Sequence, residues 1–337
     1  MPHDASRAIN GIGGIGQPSN GLLDGYAMNR LIHPPQRAVS SVVIVTSPKA
    51  GSGLGREQLP HLVQQLGASG LSVCTTTSID VLRERTQDIQ LDQHELPVVI
   101  AAGGDGTLAL VADNVPSAIP ILPMPLGTEN LLARHFGHSA DPEKMIQTIR
   151  DGTSHWLDAG RANGKLFLVT ATCGFDAEVV RAMHLTRRGH ISRFSYAGPI
   201  FRALRRYAFP KIDVRVSNDQ DPGSEPVNIE CCWAMAFNMP CYGGYLSIEP
   251  GAIDSDGLLD VITFRKGSIL SGLRYLAGIL LGSHTRFRDV TRVRGTKIEF
   301  TSPRRVPYQL DGDYGGHLPL TIELLPARVH LLLPPGP

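Results

Sequence analysis

Ala101-Ala102-Gly103-Gly104-Asp105-Gly106-Thr107 follows the apolar run Val98-Val99-Ile100, and this junction decides how the chain is read. The run has the length and character of a buried strand. Glycines directly after such a strand let backbone N–H groups come close to a polyanion, and a helix that starts there turns its positive end to the same ligand. Phosphate suits this junction. A tight strand-to-helix turn holding nothing would use the same residues, so the surroundings must decide.

Upstream, Val42-Val43-Ile44-Val45 reads as a buried strand, followed by the small-residue loop Ser47 to Gly53 and an amphipathic helix through Leu59, Leu62, Val63 and Leu66. Leu71 to Thr77 is expected to be a second strand, Ile79 to Ile89 a helix, Val98 to Ala102 a third strand and Ile119 to Leu122 a fourth. Strands alternating with helices imply a parallel sheet covered on both faces, with ligands at the carboxyl ends of its strands. Three loops fall there: Ser47 to Gly53, Gly103 to Thr107, and Pro125-Leu126-Gly127-Thr128-Glu129-Asn130. Their shared glycines, hydroxyls and amides favour a common phosphate site, to which Lys49 could add a point charge. Neither a Walker A sequence nor a Gly-x-Gly-x-x-Gly turn follows the first strand. Gly11 to Gly16 mimics the second pattern, but no strand precedes it.

Beyond Trp156, candidate strands at Leu166–Thr172, Ile212–Val216, Ile229–Phe237, Leu258–Phe264, Lys297–Thr301 and Leu320–Leu324 are joined mostly by turns. That texture is antiparallel and β-rich. The expected organisation is an extension over residues 1–38, disordered or a fusion remnant, then an α/β domain over 39–152 and a β-rich substrate domain over 153–337. The last strands have the option of returning to the first domain. With 32 Lys and Arg against 31 Asp and Glu, the 337-residue chain has no global field to draw nucleic acid. Its five scattered cysteines match no zinc spacing and read as free thiols of a reducing cytosol. No secretory signal is visible, and the apolar stretch at Leu276–Leu281 falls short of the roughly 20 residues that span a bilayer. A soluble or peripheral cytoplasmic protein is expected.

The three loops together resemble the diacylglycerol kinase catalytic-domain family, which includes sphingosine kinases and bacterial lipid kinases. Asn238-Met239-Pro240-Cys241-Tyr242-Gly243-Gly244, Pro250 to Val261 and Gln309-Leu310-Asp311-Gly312-Asp313 follow in the family's order, so the resemblance spans about residues 41–330. It implies an N-terminal α/β domain of the NAD kinase and diacylglycerol kinase type, with ATP and Mg²⁺ bound there, and a lipid in the cleft beside an antiparallel β-rich domain. Carried across, Ser47, Lys49, Gly51, Gly103, Gly104, Asp105, Gly106, Thr107, Gly127 and Thr128 would surround the nucleotide, helped by the Thr76 hydroxyl. Asp105 would sit among the phosphates near Mg²⁺; its bland alternative is to cap the helix that follows.

The family also binds a structural Mg²⁺ through the equivalents of the Asp256 carboxylate and the Ile253 and Leu258 carbonyls, although Asp254-Ser255-Asp256-Gly257 could equally be a metal-free turn. Asp313 stands where the family has the Glu assigned as proton acceptor, one methylene longer. Asp311 is therefore a competing base, and an acidic surface turn is the alternative to both. Two further departures are Ala109-Leu110, in place of a polar pair after the glycine motif, and Glu129-Asn130-Leu131, in place of a small residue, Asn and Asp.

From Arg181 to Lys211 the chain carries eight basic residues interleaved with aromatic and aliphatic ones, and no acid. Such a segment suits an anionic membrane surface, or a helix packed on its own domain with solvated arginines. Nucleic acid is a weak third option and is not an expected partner; a lipid at the inner membrane face is, and a homodimer is allowed. The leading expectation is an ATP-dependent lipid kinase acting on diacylglycerol, a sphingoid base or a related lipid. The alternatives are an NAD kinase-like phosphotransferase and a degenerate kinase that only binds.

Overall fold

The computed structural model describes residues 38–47, 54–87, 95–186, 207–221, 223–243 and 246–335. Valines and isoleucines build β1 (Ala38–Thr46) and β3 (Glu95–Gly103), whose residues Val42 to Val45 and Val98 to Ala102 are all buried. Such continuous burial is what a strand covered on both faces requires. β2 (Ser72–Thr76), β1, β3 and β4 (Ile121–Pro125) pair in that order, all parallel. The helices α1 (Leu54–Ala68), α2 (Ile79–Gln87), α3 (Asp105–Asn114), α4 (Leu131–His135) and α5 (Pro142–Asp151) connect or follow these strands.

The sheet does not stop at the first domain. The final strand, β16 (Leu320–Leu333), pairs parallel with β4 at Leu331 and Ile121, and antiparallel with β5 (Thr153–Ala162). β5 also pairs with the short β6 (Lys165–Phe167). Beyond β16 the order continues antiparallel through β13 (Lys297–Thr301), β8 (Ile212–Ser217) and β9 (Val227–Cys231), giving a ten-stranded sheet. A second, six-stranded antiparallel sheet runs β12 (Val290–Gly295), β11 (Leu259–Phe264), β10 (Trp233–Phe237), β7 (Thr170–Cys173), β14 (Pro307–Leu310), β15 (Asp313–His317). Phe167, Phe300, Ile298, Ala234 and Val261 lie in the core that the two sheets share. The α/β domain and the antiparallel, β-rich half expected from the residue pattern are both present, the latter as a two-sheet sandwich. α6 (Phe175–Thr186) leaves β7, and α7 (Ile269–Leu280) joins β11 to β12.

Three strand readings change. Ile229–Phe237 is two strands in different sheets, with Cys232 as the corner between β9 and β10. Leu166–Thr172 breaks at Leu168 and Val169, whose N–H groups are diverted to a side chain described below. The final strand runs on to Leu333 rather than ending at Leu324, which is how it reaches β4. All five cysteines are free, three of them buried. Among the described residues, no helix is long and apolar enough to cross a membrane.

Asp158, fully buried on β5, ties these parts together: its carboxylate accepts the Gly257 and Ala327 N–H groups, each at 2.7 Å. Asp158→Ala is expected to cost about 1–3 kcal/mol for each N–H left without a partner. Denaturant unfolding should show a lower midpoint, with the slope unchanged.

Candidate active site

The parallel registers of β1, β2, β3 and β4 bring their carboxyl ends to one edge, where Ser47, Thr76, Gly103 and Pro125 end or follow their strands. Lys49 and Gly51 lie outside the described residues. Thr76 is occupied locally, its hydroxyl accepting the Ser78 N–H at 2.9 Å ahead of α2.

Gly103 has to be glycine because the Thr107 side chain fills the space above it: an added Cβ would lie 2.2 Å from Thr107 Oγ1. Gly127 is equally confined, since its Cβ would lie 2.7 Å from the Gly104 Cα and 2.6 Å from Asn130 Oδ1. The second and third loops therefore touch backbone to backbone. Asn130, at φ 48°, closes the third loop by accepting the Gly127 N–H (2.9 Å) and donating to the Gly127 carbonyl (2.8 Å). Asp105 bolts the two loops together, because its carboxylate accepts the Leu131 and Leu132 N–H groups at 3.0 and 3.2 Å. It caps α4, across the cleft between loops, rather than its own helix. Burial raises its pKa against the pull of those two N–H groups.

α3 itself begins at Gly104 with no side-chain cap. The Thr107 N–H turns back onto the Gly104 carbonyl at 3.0 Å, and the helix dipole adds positive potential at this end. Gly106 and Thr128 are exposed beside it. This is the geometry of an anion cradle made from backbone.

The β14–β15 turn reaches the same place. Asp313 is exposed, and its Oδ2 lies 3.0 Å from where a Cβ on Gly106 would stand. A carboxylate from the β-rich domain thus hangs directly over the glycine loop, despite being one methylene shorter than Glu. Asp311 does something else. At φ 48°, it turns its carboxylate inward to accept the N–H groups of Leu168 (2.7 Å), Val169 and Thr170 (both 2.9 Å). Burial pushes its pKa up to about 7, opposed by those three donors. That value would suit a general base, but the geometry comes first: Oδ1 holds two N–H groups and Oδ2 one, so the carboxylate is turned to the chain.

Residue patterns gave no role to the groups that hold this turn. The Gln309 side chain accepts the Gly312 N–H at 2.7 Å and donates to Thr172 Oγ1 at 2.9 Å. Thr172 donates in turn to buried Asp176, which also receives the Trp233 indole N–H (2.6 Å) and the Tyr242 hydroxyl (3.0 Å). Buried Asn238 grips the carbonyls of Asp158 and Leu168, both at 2.8 Å. Its place in the quoted Asn238 to Gly244 segment was the only signal for it.

The acidic turn is ion-paired. Asp256 pairs with Arg294 and accepts the Leu258 N–H at 3.0 Å, while Arg294 also reaches Asp260 at 3.1 Å. Ile253 is half exposed beside it. To join the Ile253 and Leu258 carbonyls around Mg²⁺, the Asp256 carboxylate would have to leave Arg294. Among the described residues, no three acidic, His or Cys side chains gather as a metal site.

Two family models match consecutive parts of the chain: the diacylglycerol kinase catalytic domain over residues 41–162, and a YegS C-terminal NAD kinase beta sandwich-like domain over 169–333. The chain belongs to the diacylglycerol kinase catalytic-domain family. Its relatives match nearly end to end. A diacylglycerol kinase of Mycobacterium tuberculosis is 28% identical over 311 residues, covering 88% of this chain and 96% of the relative. One from Bacillus subtilis is 23% identical over 300 residues, covering 86% and 95%. In fold, the lipid kinase resembles a diacylglycerol kinase structure from Bacillus anthracis, with a TM-score of 0.64 and 22% identity over 88% of this chain and 98% of that one.

The two acidic residues of the turn should separate cleanly in the kinase. Asp311→Asn is expected to lower unfolding stability by about 1.5–3 kcal/mol, because charged hydrogen bonds to three N–H groups are weakened. Exposed Asp313→Asn should leave the unfolding midpoint within experimental error of the parent's.

Proposed function

We propose that this lipid kinase transfers the γ-phosphoryl group of ATP to a hydroxyl of diacylglycerol or a chemically similar lipid, with Asp313 as proton acceptor. The observation that carries the reading is the placement of the Asp313 carboxylate over Gly106, at the uncapped start of α3. The nucleotide phosphates lie along Gly103 to Thr107 and Gly127 to Thr128, where backbone N–H groups and the helix dipole oppose their charge. The lipid hydroxyl lies between the γ-phosphorus and Asp313. Its proton passes to Asp313 as its oxygen bonds to phosphorus, while the bond from phosphorus to the β–γ bridging oxygen breaks and ADP leaves.

Mg²⁺ that arrives with a nucleotide takes one or two protein carboxylates alongside phosphate oxygens and water. Asp105 fits that demand: each oxygen holds one N–H and keeps a second lone pair. When bound, the ion would offset phosphate charge. Ser47, at the end of β1, is close enough in the sheet to join this edge. The relatives' names, diacylglycerol kinase, favour a lipid over a dinucleotide.

Incubation with labelled ATP, Mg²⁺ and a lipid panel should yield a labelled phospholipid. Phosphorylation of NAD with no lipid product would instead support an NAD kinase-like activity, and nucleotide binding without turnover a degenerate kinase. Asp313→Asn is expected to lower kcat by about 10²–10⁴-fold with the KM for ATP little changed. Gly127→Ala, which forces the two phosphate loops apart, should instead raise the KM for ATP. Equal effects of both variants on KM would contradict the division of roles.

A further inference from the structure

An open pocket of about 460 Å³ lies between α6, the segment from Tyr207 to Pro210 and the β14–β15 hairpin. Three arginines line it, Arg181, Arg304 and Arg305, against one acid, Glu178. Glu178 is already committed: Arg181 clasps it with two nitrogens, at 2.8 and 2.6 Å. Arg304 and Arg305 are exposed, and among the described residues neither forms an ion pair with a carboxylate, so the pocket carries a net positive charge.

A neutral polar group lines the pocket beside these cations, the imidazole of His317. His317 shares its Nδ1 with the Tyr314 hydroxyl at 3.0 Å, and among the described residues Nε2 has no partner. Burial, together with Arg305 and Arg181 and against Glu178, holds His317 below its usual pKa. Two guanidiniums that form no ion pair among the described residues, together with an imidazole, make a donor set for a tetrahedral oxyanion.

We propose that this pocket binds a phosphate group, either that of an anionic lipid headgroup or of a free phosphate ion. It is separate from the transfer site. Successive residues of a strand face opposite sides, so Tyr314 lines this pocket while Asp313 faces Gly106. The hairpin is the wall between them, and an anion held on one side of it steadies the strand that carries Asp313 on the other. The site goes beyond the proposed activity and is read without ATP.

The test follows the His317 ring by NMR in the full-length protein, parent and Arg304→Ala/Arg305→Ala, with three probes: inorganic phosphate, phosphatidylcholine vesicles, and the same vesicles containing phosphatidylglycerol. Both substituted residues are exposed, so folding should survive, and circular dichroism checks it. A His317 shift with inorganic phosphate identifies the free ion as a ligand. A shift only with phosphatidylglycerol vesicles identifies the lipid headgroup. In either case the double variant should bind about thirtyfold more weakly, from two lost cation contacts of roughly 1 kcal/mol each. No shift with any probe, or shifts that the double variant retains in full, would overturn the proposal. Equal shifts with phosphatidylcholine alone and with phosphatidylglycerol would also overturn it, because recognition would then not depend on the anion.

Discussion

Gly104 and Gly127 meet with no room for a side chain between them, and the site depends on that contact. Two strand-to-helix loops can share one anion only if their backbones approach closely enough for both sets of N–H groups to reach it. Glycine permits the approach, but it also leaves the loops pliable. Asp105 removes that freedom by capping α4 from the neighbouring loop, and Asn130 does the same from within. Asp105 is thus first a structural clamp. Its remaining lone pairs are what is left for chemistry.

The second half of the site is held by an equally committed set of polar groups. Asp311 and Asn238 grip the N–H and C=O groups of the Leu168 to Thr170 bend from opposite sides, and Gln309 fixes the turn at Gly312. Behind them, Asp176 is buried among Thr172, Trp233 and Tyr242, all donating to it. Burying a carboxylate is costly unless its oxygens are satisfied, and here they are. The result is an exposed Asp313 on a turn with little freedom to drift. The hairpin itself is carried up to the glycine loop, so the short Asp313 side chain still reaches Gly106.

Much of this was legible in the residues, for physical reasons. Strands covered on both faces must be continuously apolar, so Val42 to Val45 and Val98 to Ala102 announce themselves, and glycines that follow them mark the loops. The antiparallel half was less legible. Ile229–Phe237 reads as one apolar strand because both sheets bury it, and nothing local at Cys232 says that the chain changes sheets there. β5, β12, β14 and β15 carry too mixed a pattern to stand out. The two acids of the Asp311-Gly312-Asp313 turn could not be told apart, since their roles are set by backbone N–H groups some 140 residues earlier in the chain. The pairing of Asp256 with Arg294 was hidden for the same reason, since Arg294 lies on another strand.

The claim at the centre of this account is that the two domains complete one site where Asp313 meets Gly106. A double-mutant cycle on kcat/KM, with Gly106→Ala and Asp313→Ala singly and together, measures that meeting directly. Close contact predicts strong coupling, about 1–3 kcal/mol, because an added methyl collides only while the carboxylate is present. Costs that simply add would contradict the contact, and with it the assembly of the site from both domains.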